Sequence, residues 1–248
     1  MLESTLVHVS RCDHGRVTGF ERWGNLMAAV VSIASAKGRC SKTTLAVGIG
    51  VELALDGYTV VVLDADLNQH ATKFGEKANV PNFTVIGEVN EGNILQQMKA
   101  AYNQADMVVI DLPGGSSMVA VKALTKSHFV LIPTQHSILD ARDAMKTVAQ
   151  VDDAQELGRY LIPRSLIWTR VMPWFESKAA RRVRADTENI KVPIFESVLM
   201  NRAAFQEMFL RGQVPRQFKP GGSEAQNLTA ITRELIGKIE EIVKEQAA

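Results

Sequence analysis

Lys37, Lys42, Thr43 and Thr44 fall in the run Ala36-Lys37-Gly38-Arg39-Cys40-Ser41-Lys42-Thr43-Thr44, a short polar loop between an apolar stretch and a helix-forming one. A loop in that setting can hold phosphate: its backbone N–H groups surround the oxygens, and the following helix adds the positive end of its dipole. Lys42 would reach the outer phosphates, and the Thr43 hydroxyl would hold Mg2+. Two more segments bring carboxylates, Asp64-Ala65-Asp66 and Asp111-Leu112-Pro113-Gly114-Gly115, each at the end of an apolar run. Thr43, Asp64 and Asp111 are the candidate Mg2+ ligands, directly or through water, and Asp66 is placed to orient or deprotonate an attacking water. Any one of these aspartates alone would serve equally well as a helix cap or loop residue. Several carboxylates converging at the ends of buried strands need a reason, and a metal–nucleotide site supplies one.

Such residues work together only if a framework carries them to one edge. From Ala28 onward, β-branched runs alternate with helical stretches, which predicts successive βαβ units. The expected class is α/β, with a mostly parallel, twisted sheet and helices on both faces. Strands are expected at Ala29–Ser35, Thr59–Asp64, Met107–Asp111, Phe129–Pro133 and Ser165–Val171, with shorter ones at Thr84–Ile86 and Pro193–Phe195. Their apolar character is nearly continuous, as in strands covered on both sides. A helix from Thr43 to Asp56 should end at Gly57, which accepts the left-handed conformation of a helix C-terminus. Loops at the C-terminal edge of such a sheet form its ligand crevice. Residues 1–26 carry three acidic and three basic residues with no sustained period and read as a weakly ordered extension, with Met27 as an alternative start. Residues 27–248 are expected to form a single domain.

Composition narrows the classes further. The chain has 248 residues, 46% hydrophobic and 22% charged, which fits a globular domain and neither a disordered nor a fibrous chain. No apolar run approaches the ~20 residues of a membrane-spanning helix, so a cytoplasmic location is expected. Cys12 and Cys40 match neither a zinc pair nor a disulfide framework, and His8, His14, His70, His128 and His136 form no metal-spaced pair. Leu228, Ile231, Leu235, Ile239 and Ile242 give the stretch from Leu228 to Ala248 one apolar face. Its polar side has more Glu than Lys or Arg, so packing on the core is expected instead of membrane binding.

Lys37 to Thr44 resembles the deviant Walker A loop (K-G-G-x-G-K-T-T) of the ParA/MinD ATPases. Asp64 to Thr72 is similar to that family's D-x-D-P-Q…A-T switch region, and Asp111–Pro113 to its Walker B segment. Ile132-Pro133-Thr134 and Val192 to Val214 resemble its later V-P and I-P…G-x-P-V stretches. The resemblance runs from about Met27 to the C-terminus and is nearest to the partitioning branch and its conjugative-transfer relatives. It implies ATP and Mg2+ as cofactors, bound by Gly38, Arg39, Cys40, Ser41, Lys42, Thr43 and Thr44, with Thr169 and Arg170 near the adenine. It also implies a homodimer in the ATP state, in which Lys37 reaches the partner's ATP while Lys42 acts in cis and Asp66 activates water. Three departures stand out: Arg39 and Ser41 replace loop glycines, and Leu67 replaces a proline.

The formal net charge of +1 conceals an asymmetry, because Lys178 to Lys219 holds nine Lys or Arg against four Asp or Glu. Lys178, Arg181 and Arg182 stand at helical spacing with Arg184 beyond them, and Arg202, Arg211, Arg216 and Lys219 follow. These are the candidate contacts to DNA phosphates, without sequence readout, since no recognition-helix or zinc-finger pattern is present. The expected function is an ATP-dependent dimeric switch, weak as an ATPase, that binds DNA non-specifically for plasmid or conjugative-element partitioning. A partner protein of unknown identity would stimulate hydrolysis, and the protein would associate with nucleoid or plasmid. A non-hydrolysing DNA- or partner-binding scaffold with a degenerate loop is the alternative, because Arg39 and Ser41 stand where glycine lets backbone approach phosphate.

Overall fold

Apolar β-branched runs become the interior of a seven-stranded sheet in the computed structural model, which describes residues 28–172, 174, 177–188 and 191–247. In chain order the elements are β1 (Ala29–Ser35), α1 (Lys42–Leu55), β2 (Val60–Asp64), α2 (His70–Gly75), β3 (Phe83–Ile86), α3 (Ile94–Tyr102), β4 (Met107–Gly114) and α4 (Met118–Leu124). There follow β5 (Phe129–Thr134), α5 (Ile138–Gly158), β6 (Arg164–Val171), α6 (Lys178–Glu188), β7 (Leu199–Met200), α7 (Ala204–Arg211), α8 (Pro215–Phe218) and α9 (Ser223–Ala247). The strand order is β3-β2-β4-β1-β5-β6-β7, and every pairing is parallel. The expected extension at residues 1–26 and the alternative start at Met27 lie outside the described residues.

Because successive side chains of a strand point to opposite faces, each strand feeds two cores. Ala29, Val31 and Ile33 join Leu45, Ile49, Phe74, Met208 and the Leu228–Ile239 stripe on one face. Val30 and Ala34 join Ile94, Met98, Leu124, Val148 and Val151 on the other. Helices α1, α2, α7 and α9 thus cover one side of the sheet, and α3, α4 and α5 the other. The apolar stripe of the last helix packs on the core, as its spacing predicts.

Most element boundaries fall within a residue or two of those expected, and Gly57 closes α1 at φ 88°. Pro193–Phe195 is the exception. It forms only an isolated bridge, Leu166 with Ile194, and β7 forms further on. Pro193 has no N–H to continue a ladder, and the N–H groups of Glu196 and Ser197 go to the Glu234 carboxylate at 2.8 Å each. Among the described residues no helix is long and apolar enough to cross a membrane.

Candidate functional site

The central strand β1 lies between β4 and β5, and the loops leaving β1, β2 and β4 meet at one edge. Register fixes the meeting: Asp64 of β2 stands beside Asp111 of β4, which in turn stands beside Ile33 of β1. The loop after β1 takes left-handed backbone at the two positions where this chain replaces a glycine of the family pattern, since Arg39 has φ 63° and Ser41 has φ 71°. Each such conformation costs a residue with a Cβ roughly 1–2 kcal/mol. The surroundings hold the loop there. Ala36 N–H donates to Thr147 Oγ1 of α5 at 2.8 Å, Gln135 Nε2 to the Arg39 carbonyl at 3.4 Å, and Thr169 Oγ1 to the Cys40 carbonyl at 3.3 Å. A Cβ on Gly114 would come to 3.0 Å from Gly38 N and 3.3 Å from the Lys37 carbonyl carbon, so a side chain there would require the loop backbone to give by a few tenths of an ångström. Ser41 caps α1 without a side-chain hydrogen bond, which leaves the first N–H groups of the helix for a ligand.

Lys42 is buried, with Nζ 3.5 Å from the Lys37 carbonyl. Asp111 is fully buried, and neither of its oxygens meets hydrogen-bond geometry with any described residue. Burial pushes its pKa up to about 7; the nearby Thr43 hydroxyl and Lys42 oppose that rise, while Asp64 and Asp66 add to it. An unpaired buried carboxylate calls for a proton or a cation. No three His, Cys, Asp or Glu side chains gather as a metal cage among the described residues. The donor set fits Mg2+ nonetheless, because that ion takes one or two protein oxygens and completes its shell with water and phosphate oxygens.

Asp64 is also buried, but its oxygens are occupied. Oδ2 accepts from Thr72 N–H at 2.8 Å and from Thr72 Oγ1 at 2.9 Å, and Oδ1 accepts from Asp66 N–H at 3.2 Å. Asp64 therefore clamps the β2–α2 turn, leaving any ion contact to water. Asp66 Oδ1 accepts both N–H and Nδ2–H of Asn68 at 2.9 and 2.8 Å, an Asx turn that presents the carboxylate to the cleft. Lys37 turns away from the loop: its Nζ lies 2.7 Å from Asp140 Oδ1 near the start of α5. That hydrogen bond and the Asp140 charge raise the lysine pKa.

Gly38 to Thr44, Asp66, Asn68, His70, Arg170 and Phe209 line one cleft of about 700 Å3, within the range of small-molecule sites. A second cleft of about 520 Å3 adjoins it, walled by Gln135, His136, Trp168 and Met172, and Arg170 belongs to both. Thr169, expected near an adenine, lines the second cleft, and its buried hydroxyl braces the Cys40 and Thr134 carbonyls. Asp140, Thr147 and Phe209 carried no sequence signal. The basic residues separate into two places. Lys178, Arg181, Arg182 and Arg184 line the exposed side of α6, with Ala180, Val183 and Thr187 buried beneath. Arg202, Arg211 and Lys219 line a shallow surface pocket with Glu207 and Glu224. Arg216 is not among the open cations, because its guanidinium joins Asp56 at 2.7 Å and the buried Glu52 at 3.3 Å.

Comparison with known proteins places this geometry in a lineage. The profile of the VirC1 protein family matches residues 28–244. Protein ParA of Rhizobium radiobacter is 31% identical over 184 residues, covering 74% of this chain and 83% of the relative. Protein virC1 of the same organism is 29% identical over 220 residues, covering 86% and 94%. Among solved structures, the ATP complex of a Cyanothece McdA variant superposes with a TM-score of 0.69 at 16% identity, over 88% of this chain and 96% of that one. At that identity the likeness is one of fold.

Proposed function

This chain belongs to the VirC1 family within the ParA/MinD type of P-loop ATPases, and from that premise we propose that it is an ATP-dependent dimeric switch. It binds DNA without sequence preference and serves the partitioning or maintenance of a plasmid or conjugative element in the cytoplasm. The observation that carries the nucleotide half is Asp111, a fully buried carboxylate close to Lys42 and the Thr43 hydroxyl, with neither oxygen in hydrogen-bond geometry with any described residue. Lys42, the loop N–H groups and the start of α1 hold the phosphates. Thr43 and Asp111 would hold Mg2+, which supplies charge neutralisation on the phosphate oxygens. Asp66 orients the attacking water and accepts its proton. Lys37 acts across a dimer once it leaves Asp140. A partner protein stimulates hydrolysis and thereby release of DNA.

The test compares DNA binding at fixed salt with ATP·Mg2+, with ADP·Mg2+ and without nucleotide, with phosphate release followed in parallel. The switch requires binding with ATP alone and slow release of phosphate. Asp66→Ala should abolish turnover and keep ATP-dependent DNA binding. The left-handed Arg39 and Ser41 favour one rival, a scaffold that no longer hydrolyses. Equal DNA binding in all three conditions, with no phosphate released, would establish the rival.

A further inference from the structure

Among the described residues seven non-glycine positions have positive φ, and four of them stand at the phosphate loop or in the segments facing it: Arg39, Ser41, Gln69 and Arg170. Backbone held in an unfavourable region at one place points to use of that place. Two of the four are arginines. Both are exposed, both line the 700 Å3 cleft, and neither is ion-paired with a carboxylate among the described residues. Arg170 reaches this position because the β6–β7 register shifts between Thr169 and Val171.

Charge balance at the cleft gives the pair a purpose. A nucleoside triphosphate carries about four negative charges on its phosphates, and a guanidinium offers a planar fork suited to phosphate oxygens. Lys42 lines the cleft, but the charge of Lys37 is offset by Asp140 at 2.7 Å. We infer that Arg39 and Arg170 grip the outer phosphates of the nucleotide in cis, with Arg170 at the phosphate end of the cleft beside Gly38 to Thr44 and not at the adenine where the resemblance would put it, supplying the monomer with the positive charge that Lys37 withholds while Asp140 keeps it. The inference rests on the nucleotide-binding reading above. It reverses the meaning of the altered loop: Arg39 is a gain of ligand contact, at a cost in backbone strain, and not the decay of a glycine.

The two meanings predict opposite signs for Arg39→Gly. If Arg39 is only a strained replacement, glycine relaxes the loop and ATP binds at least as tightly. If Arg39 holds phosphate, glycine leaves the apo melting temperature equal or higher yet weakens ATP binding by about 10- to 100-fold, the usual loss for a charged hydrogen bond. Titration calorimetry with ATP and ADP on wild type, Arg39→Gly, Arg39→Lys and Arg170→Gln decides. The expected order of ATP affinity is wild type, then Arg39→Lys, then Arg39→Gly, with Arg170→Gln also weakened and ADP less affected throughout. Unchanged or tighter ATP binding by Arg39→Gly overturns the inference and leaves the nucleotide site standing. A wild-type protein that binds neither nucleotide overturns the nucleotide reading itself, and this pair with it.

Discussion

Lys37 and Asp140 form the ion pair beside the cleft that a dimeric mechanism must break. Asp140 is itself held, because Ser137 donates its hydroxyl to Oδ2 and Asp140 N–H donates to Ser137 Oγ at 3.1 Å. The carboxylate is therefore a fixed anchor for a half-exposed lysine. Asp140→Asn keeps an acceptor for Ser137 but removes the charge, so the ATP-bound dimer should become several-fold more populated at equal protein concentration. Sedimentation velocity with and without ATP checks this, and an unchanged dimer fraction would mean that release of Lys37 is not limiting. At this scale the sequence is uneven. Lys37, Lys42, Thr43, Asp66 and Asp111 were legible as candidates because each lies in a short run whose neighbours explain it. Asp140 was not, because its partner is 103 residues away and nothing within α5 marks it as a lysine's counter-ion.

Elements were legible wherever one physical pattern dominated. Buried strands appeared as aliphatic runs, and α9 as an apolar stripe. The missed feature, β7, is two residues long, and its position follows from a carboxylate of α9 capturing the donors after Pro193. Contacts between elements carry a pH signature as well. His128, just before β5, accepts the Val30 N–H on Nδ1 at 2.9 Å and stands beside the Tyr102 ring, with Lys99 and Lys126 lining the same cleft. Burial lowers its pKa, so the folded protein keeps the imidazole neutral. Above the ordinary value of about 6.5 both folded and unfolded chains carry it uncharged, and below that value the unfolded chain takes the proton first, so stability is lost as pH falls. Thermal melts between about pH 7.5 and 5.5 should show wild type losing more stability on acidification than His128→Gln, which retains an acceptor but does not titrate. Parallel pH profiles for the two would show that His128 does not carry the effect.

Over the whole molecule, the net charge of +1 resolves into a basic C-terminal part set on an otherwise acidic chain. The fold neutralises some of those cations locally. Arg182 pairs with Asp186, Arg211 with Glu207 and Lys219 with Glu224, whereas Lys178 and Arg181 stand exposed on α6. If α6 meets DNA phosphates, replacing Lys178 and Arg181 by Gln should weaken binding across all sequences. It should also lower the slope of log K against log salt by about 0.9 for each phosphate that a lysine or arginine no longer neutralises. Fluorescence anisotropy across a salt series measures both, and an unchanged slope moves the DNA interface to the Arg202 pocket or away from this part of the chain. The sheet that supports these surfaces has a different consequence during synthesis. Its central strand pairs only with β4 and β5, and Val30 and His128, joined by a hydrogen bond, are 98 residues apart. A ribosome adding about 5–20 residues per second therefore leaves β1 without its second neighbour for roughly 5–20 s. For that interval an apolar strand of the nascent chain has an unpaired edge, and the yield of folded protein depends on what shields it.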